Sequence, residues 1–207
     1  MIVKIDRKKW ENFWYYYKIH FWVGVFIVLF IIMTIRDCSQ RIEPDVSWGY
    51  MGSDLTAERI RSLEQELLPL VQDANHDGKT HLRLYALSDP QQIVVMMASG
   101  DTQLFTFDAE VFTNFATGGA FQVLDTLIEA YQVDVSAHPE VLLQAQETPE
   151  KHVYGLPLEG NVLLEQTGFR LEGKYLGVRV AKHPGKSLDS IAYENAYAIL
   201  QRLLQEY

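Results

Sequence analysis

The segment DANHDGK, residues 73–79, has the residue types and spacing of a calcium loop. It matches the first half of an EF-hand loop, in which alternate side-chain oxygens and one backbone carbonyl bind the ion. The candidate Ca²⁺ ligands are the side chains of Asp73, Asn75 and Asp77 and the carbonyl of Lys79. The twelfth loop position is Leu84, which lacks the carboxylate that completes such a shell. Because Asn, Asp and Gly also favour tight Asx turns, the segment predicts either a weak calcium site or a turn.

Catalytic side chains form no recognisable constellation in this sequence. The single cysteine, Cys38, lies beside an apolar segment, away from any predicted pocket wall. The histidines are scattered, and His76 and His81 are separated by a turn, which is a poor spacing for zinc. Because no nucleophile can be paired with a base, we predict a protein that binds its target without catalysing a reaction.

An apolar stretch from Ile19 to Ile35 divides the chain. Its 17 residues contain only two polar side chains, His20 and Thr34. At about 1.5 Å of rise per residue, a helix of this length reaches most of a hydrocarbon core about 30 Å thick. Aromatic residues and Lys18 on its N-terminal side extend the span into the headgroup region. We therefore predict a transmembrane helix.

The charges around this helix predict its orientation. Five basic residues precede the span, whereas only Arg36 and Arg41 follow it closely, so the positive-inside rule places the N-terminus in the cytoplasm. A cleaved signal peptide is the alternative, but no small-x-small cleavage site follows. We expect an uncleaved anchor in the cell membrane. The predicted segments are a basic and aromatic cytoplasmic tail at 1–18, the helix at 19–35, a linker at 36–45 and an extracytoplasmic domain at 46–207.

The charge balance outside the anchor is strongly acidic. Residues 1–37 hold six of the 18 basic and three of the 27 acidic side chains, which leaves 12 basic and 24 acidic residues in the rest of the chain. A surface of this sign repels phosphate groups, so we expect no nucleic acid among the partners. The predicted domain has the length of a single domain with its own core.

Strand and helix patterns alternate in the first half of this domain. Such alternation is typical of an open, mainly parallel α/β (βαβαβ) sheet with right-handed crossovers. The predicted strands are 46–51, 80–87, 102–107, 152–158 and 175–181. The predicted helices are 56–72, bent by Pro69, then 91–99 after Asp89 and Pro90, one that starts at Asp108 and ends at Gly118, and an amphipathic helix at 187–207.

Polar residues stand where the predicted parallel strands end. Ligands of open parallel sheets bind beyond these carboxyl ends. Here the ends are the segments 51–54, 87–89 and 107–108. Ser53, Asp54 and Asp108 also offer N-cap oxygens to the helices that follow them.

Residues 91–124 are similar to the first lobe of type 2 extracellular solute-binding proteins. The similar features are a helix followed by Ala98-Ser99-Gly100-Asp101, then an apolar strand, an acidic residue, a helix and Gly119-Ala120-Phe121. The segment VYGLPL, 153–158, resembles the strand at which that family crosses into its second lobe. One domain cannot hold both lobes, so the chain resembles a single lobe closed off by its own C-terminal helix. A basic and aromatic anchor before such a domain resembles membrane proteins of Gram-positive type.

The resemblance implies a membrane-tethered binding module that recognises a small ligand or a partner protein. The nearest analogues of the family's ligand contacts are Asp54, Ser88 and Asp108. The alternative is a non-catalytic structural accessory subunit of a transporter or envelope complex. Either function implies an integral-membrane partner protein in the same bilayer, because a tethered lobe cannot diffuse to collect solute as a free binding protein does.

Overall fold

The computed structural model describes residues 7–39, 43–146, 148–181 and 187–207. The chain forms two compact units, Met1–Ile42 and Glu43–Tyr207. Over its described residues the first unit is one helix, α1 (Arg7–Ser39). The segment Trp14–Arg36 of this helix has a mean hydropathy of 2.2 and is not buried. Helix α1 is therefore long and apolar enough to cross a membrane.

Helix α1 extends beyond both ends of the predicted span 19–35. It begins inside the predicted tail, and it includes the first four residues of the predicted linker, 36–39. Neither flank contains a proline or glycine before Pro44, so nothing in the local sequence ends the helix at the membrane boundary. Residues 1–6 of the predicted tail and 40–42 of the predicted linker lie outside the described residues, and the rest of the linker, 43–45, leads directly into β1.

The second unit alternates strands with helices. Its strands are β1 (Val46–Met51), β2 (Leu82–Leu87), β3 (Leu104–Asp108), β4 (Leu142–Leu143), β5 (His152–Val153), β6 (Leu156–Pro157) and β7 (Lys174–Val178). Its helices are α2 (Ala57–Leu67), which continues into a 3-10 turn at Leu68–Leu70, α3 (Pro90–Ser99), α4 (Ala109–Thr117), α5 (Asp125–Tyr131), α6 (Val162–Gln166) and α7 (Ser187–Leu204).

The main sheet has the strand order β2-β1-β3-β7-β6. Strand β1 pairs in parallel with β2 and with β3, whereas β7 runs antiparallel between β3 and β6. Four of these five strands therefore point the same way, and β4 and β5 form a separate pair. The predicted fold class, an apolar N-terminal helix followed by a mainly parallel α/β domain, is confirmed.

Local signals place several elements correctly. Strand β1 has the predicted bounds, and Pro69 lies in the 3-10 turn that ends the α2 region. The Asp89 carboxylate accepts a hydrogen bond from the Gln91 N–H at 2.8 Å at the start of α3, and Gly100 ends that helix in the left-handed conformation.

The bounds of several predicted strands shift by one to three residues, and two predicted caps and the pairing of one predicted strand differ more substantially from the structure. The N-cap of α2 is Thr56, whose hydroxyl accepts from the Arg59 N–H, because the Asp54 side chain turns into the domain instead. Asp108 stands at the N-cap position of α4, but its carboxylate binds Lys174. The predicted strand 152–158 is divided, because β5 pairs with β4 while β6 pairs with β7 in the main sheet.

The core lies on both faces of the main sheet. Trp48 and Tyr50 of β1 are buried, and the Trp48 indole N–H donates to the Thr106 hydroxyl at 2.9 Å. The second half of α7 buries its apolar residues, so this helix contributes to the core as its amphipathic pattern indicates. Its buried residues include Ala196, Ile199, Leu200, Leu203 and Leu204.

Candidate functional site

The three predicted strand ends meet at one edge of the main sheet. Met51 of β1 is in register with Leu87 of β2, so Ser88 follows at the same edge. Strand β3 ends there with Asp108, and the antiparallel strand β7 begins there because Asp108 is in register with Lys174. We call this region the carboxyl edge; it comprises Met51, Asp54, Ser88, Asp108 and Lys174.

Lys174 joins two strand ends at the carboxyl edge. Its ammonium group donates to the Met51 carbonyl at 2.5 Å and to the Asp108 carboxylate at 2.6 Å. The Lys174 side chain is only 12% exposed, whereas the Asp108 side chain is 52% exposed. The free side of the Asp108 carboxylate therefore faces solvent beside a fixed positive charge.

Asp54 is buried and is used inside the domain. One of its carboxylate oxygens accepts from the Arg170 N–H at 2.7 Å and from the Tyr50 hydroxyl at 3.3 Å, and the Arg59 guanidinium lies 3.5 Å away. The Asp54 side chain is only 6% exposed. Of the three predicted ligand residues, Ser88 and Asp108 are exposed, while Asp54 ties the loop after β1 to the segment before β7.

Tyr50 lies between these charged groups. Its single hydroxyl proton is shared between the Arg170 carbonyl at 2.9 Å and the more distant Asp54 carboxylate, and its ring lies 5.9 Å from the Lys174 ammonium. Burial, followed by the negative charge of Asp54, raises the pKa of the Tyr50 phenol well above its ordinary value. The phenol therefore remains a neutral hydrogen-bond donor at physiological pH.

Sequence reasoning missed Lys174 and Arg170, which lie at or beside this edge. The one available signal was that Lys174 directly precedes a predicted strand. The direction of that strand decides which edge its first residue reaches, and sequence periodicity does not indicate direction. The strand is antiparallel to β3, which brings its first residue to the ends of the parallel strands.

The predicted calcium loop forms a closely hydrogen-bonded turn. The Asp73 carboxylate accepts from the Gly78 N–H at 2.8 Å, the Asn75 amide oxygen accepts from the Asp77 N–H at 2.9 Å, and the Asp77 carboxylate accepts from the Lys79 N–H at 2.9 Å. Gly78 adopts φ 81°, a left-handed conformation that glycine tolerates. Overlapping side-chain to backbone hydrogen bonds of this kind are typical of nested Asx turns.

The electrostatics of this loop keep its first aspartate ionised. Desolvation of the Asp73 carboxyl opposes its charge, but the N–H groups of Gly78, His76 and Asp77 outweigh that effect and lower its pKa. Among the residues that the structure describes, no group of three or more His, Cys, Asp and Glu side chains is placed to hold a metal ion. The four predicted ligands therefore remain a prediction, with the turn as the alternative interpretation.

Asp45 connects the loop to the sheet. It is fully buried, and its two carboxylate oxygens accept from the Ala74 N–H and the His81 N–H, each at 2.7 Å. The Asp45 carbonyl accepts from the Asn195 amide at 3.2 Å, and that amide also bridges to Gln72. The turn is consequently held at both of its ends against the start of β1.

Comparison with known proteins gives only distant likenesses. No protein-family model and no curated protein matches the sequence. A sugar transporter from Rhizobium etli in an open conformation is 18% identical, with a TM-score of 0.35, and the match covers 54% of this chain and 28% of that one. An extracellular solute-binding protein family 1 structure from Alicyclobacillus acidocaldarius is 13% identical, with a TM-score of 0.36, and the match covers 54% and 27%. The chain thus spans less than a third of these structures, which indicate neither its ligand nor its activity.

Proposed function

We propose that this protein is a membrane-tethered, extracytoplasmic binding module that recognises its target at the carboxyl edge without transforming it. The observation that carries the proposal is the Asp108–Lys174 pair, in which a half-exposed carboxylate is held by a nearly buried ammonium group. The pair is fixed by β3, β7 and the Met51 carbonyl, so it is oriented before any ligand arrives. Preorganisation of this kind lowers the entropic cost of binding.

The chemistry of the carboxyl edge favours a polar ligand that donates hydrogen bonds. The Asp108 carboxylate can accept from hydroxyl or ammonium groups, and the exposed Ser88 hydroxyl can donate or accept. Lys174 compensates part of the negative charge, so a neutral polyhydroxylated ligand is compatible with the site, as is a ligand amine. Sugars and short peptides are the classes that present these groups.

Isothermal titration calorimetry of the full chain in nanodiscs tests this proposal. We expect one of the two classes, sugars or short peptides, to release heat, and Asp108→Asn to weaken that binding about tenfold or more because a charged acceptor is lost. Asp134→Asn is the matched control, since Asp134 is exposed and its carboxylate accepts from the nearby Ser136 N–H. Absence of heat from both classes would remove the basis of the proposal.

The tether is the second part of the proposed function. Helix α1 supplies the apolar length, and the excess of basic residues before the span supports a cytoplasmic N-terminus. A domain attached in this way acts on ligands or proteins close to one membrane face. An integral-membrane partner protein in the same bilayer remains part of the proposal.

A structural accessory subunit is the second candidate function. The environment of Asp54 favours this function. Its carboxylate stands at a strand end, where a ligand would bind, but it is buried and hydrogen-bonded within the domain, so it stabilises the fold and does not contact a ligand. Replacement of α1 by an unrelated transmembrane helix distinguishes the two functions. A binding module keeps its ligand affinity after the exchange, whereas a subunit that assembles through α1 loses its complex.

Calcium binding by the 73–79 loop is a separate proposal. If Ca²⁺ binds only the folded state, a concentration ten times the Kd raises the free energy of unfolding by about 1.4 kcal/mol. Thermal melting of the full chain with calcium and with a chelator measures this shift. Asp77→Asn keeps an oxygen for the Lys79 N–H but removes a charge, so it should abolish the shift while preserving the turn. An unchanged melting temperature in millimolar calcium would leave the loop as a turn only.

A further inference from the structure

Helix α3 exposes an apolar face at the surface of the second unit. Ile93 is its only residue buried in the core, while the residues Val94 and Val95 are 58% and 65% exposed. Ala98, one turn further on, is also exposed and lies on the same face at helical spacing. We call Val94, Val95 and Ala98 the α3 face.

The α3 face belongs to a helix that is held firmly at both ends. Asp89 caps its N-terminus, and the Arg179 guanidinium donates to the Gly100 carbonyl at 2.5 Å and to the Thr102 carbonyl at 2.8 Å at its C-terminus. Arg179 itself is only 5% exposed. The exposed valines therefore stand on a fixed helix and not on a fraying segment, and exposed apolar patches on such elements commonly mark interaction sites.

The charges around the α3 face indicate which kind of partner covers it. Helix α3 contains no charged residue, but the exposed residues Asp89 and Asp101 flank it. They are 12 residues apart, or about 18 Å at the helical rise. A second copy packed on the same face would bring aspartate against aspartate in either direction. An anionic bilayer would also be repelled by the acidic excess of the domain.

We propose that the α3 face is a docking surface for a helix of a partner protein, with an apolar stripe that covers Val94 and Val95 and basic residues that meet Asp89 and Asp101. The uncharged centre would then be desolvated by apolar contact, and the rim would be neutralised by opposite charge. Asp89 adjoins Ser88 of the carboxyl edge. None of the residues substituted below belongs to that edge, so the two proposals can fail independently.

Fluorescence anisotropy with a defined peptide tests the proposal on the full chain in nanodiscs of neutral lipid. The probe is a labelled helical peptide of about 20 residues with a leucine stripe between two lysines, long enough to form helix in water. A second peptide carries glutamate in place of lysine. The variants are the double substitution Val94→Gln and Val95→Gln, the single substitution Asp101→Asn, and the control Val123→Gln, which alters another exposed valine.

We expect the lysine peptide to bind about tenfold or more tightly than the glutamate peptide. The double valine variant should lose this binding, Asp101→Asn should reduce the preference for lysine, and Val123→Gln should bind normally. Equal binding by the double variant, or no difference between the two peptides, would overturn the proposal. Two further results would also overturn it. One is self-association in analytical ultracentrifugation that the double variant abolishes, and the other is binding to anionic vesicles that depends on the two valines.

Discussion

Replacement of Phe112 by alanine is expected to lower the free energy of unfolding of the fragment 43–207 by about 3–5 kcal/mol. Phe112 is fully buried, and its ring stacks on Phe121 at a centroid distance of 5.1 Å and lies 5.7 Å from Tyr175. Alanine removes the ring and leaves a cavity between α4 and β7 that the surrounding side chains cannot fill. Urea denaturation followed by circular dichroism measures the loss, since the fragment is a compact unit with its own core.

The same packing leaves no room for a side chain at Gly155, so an added methyl group there should also destabilise the domain. A Cβ atom at Gly155 would lie 2.4 Å from the Phe112 ring and 2.8 Å from the Leu176 carbonyl. Gly155→Ala should therefore cost about 1–3 kcal/mol in the normal chain and less in a Phe112→Ala background, where the ring is absent. Strict additivity of the two substitutions, or a Phe112→Ala cost below about 1 kcal/mol, would contradict this description of the core.

Replacement of Asp45 by alanine is expected to destabilise the same fragment by about 3 kcal/mol or more. The buried carboxylate accepts two backbone N–H groups, those of Ala74 and His81, and alanine leaves both donors without an acceptor. Because these bonds hold the 73–81 segment to the sheet, hydrogen exchange of that segment should also become faster. Chemical denaturation and exchange on one sample give both quantities.

Asp134→Ala provides the control for Asp45. Its carboxylate is exposed and accepts a local hydrogen bond from the Ser136 N–H, so its loss should cost less than about 1 kcal/mol. A stability of Asp45→Ala within about 0.5 kcal/mol of the normal chain would show that the buried carboxylate does not hold the loop.

The sequence predicted the elements whose signals are local. The bounds of β1 follow from apolar alternation between turn residues, and α3 follows from Asp89, Pro90 and Gly100 at its two ends. The parallel pairing of β1, β2 and β3 follows from strand and helix alternation, which favours right-handed crossovers. These features depend on neighbours in the chain, and sequence patterns record such neighbours.

The candidate site could be predicted only in part, because its partners are distant in the chain. The rule for strand ends predicts that Ser88 and Asp108 lie at one edge, and the structure places both there. The position of Lys174 does not follow from that rule, since it depends on β7 entering the sheet antiparallel to β3. Asp54 was predicted as a ligand residue, yet the N–H of Arg170 occupies its carboxylate. The ends of α1 follow from the sequence only in part. Aromatic residues and Lys18 extend the apolar span before Ile19, but hydropathy does not indicate that the helix begins at Arg7 or continues to Ser39.

Hydrogen–deuterium exchange of the full chain in nanodiscs, measured with and without the tightest-binding compound among the sugars and short peptides, shows whether the carboxyl edge binds the ligand. We expect the compound to slow exchange at the carboxyl edge, in the segments that contain Met51, Ser88 and Asp108. Asp108→Asn should abolish this protection, whereas Asp134→Asn should not. Protection confined to another part of the domain, or equal protection in the Asp108→Asn variant, would contradict the proposal that this edge binds the ligand.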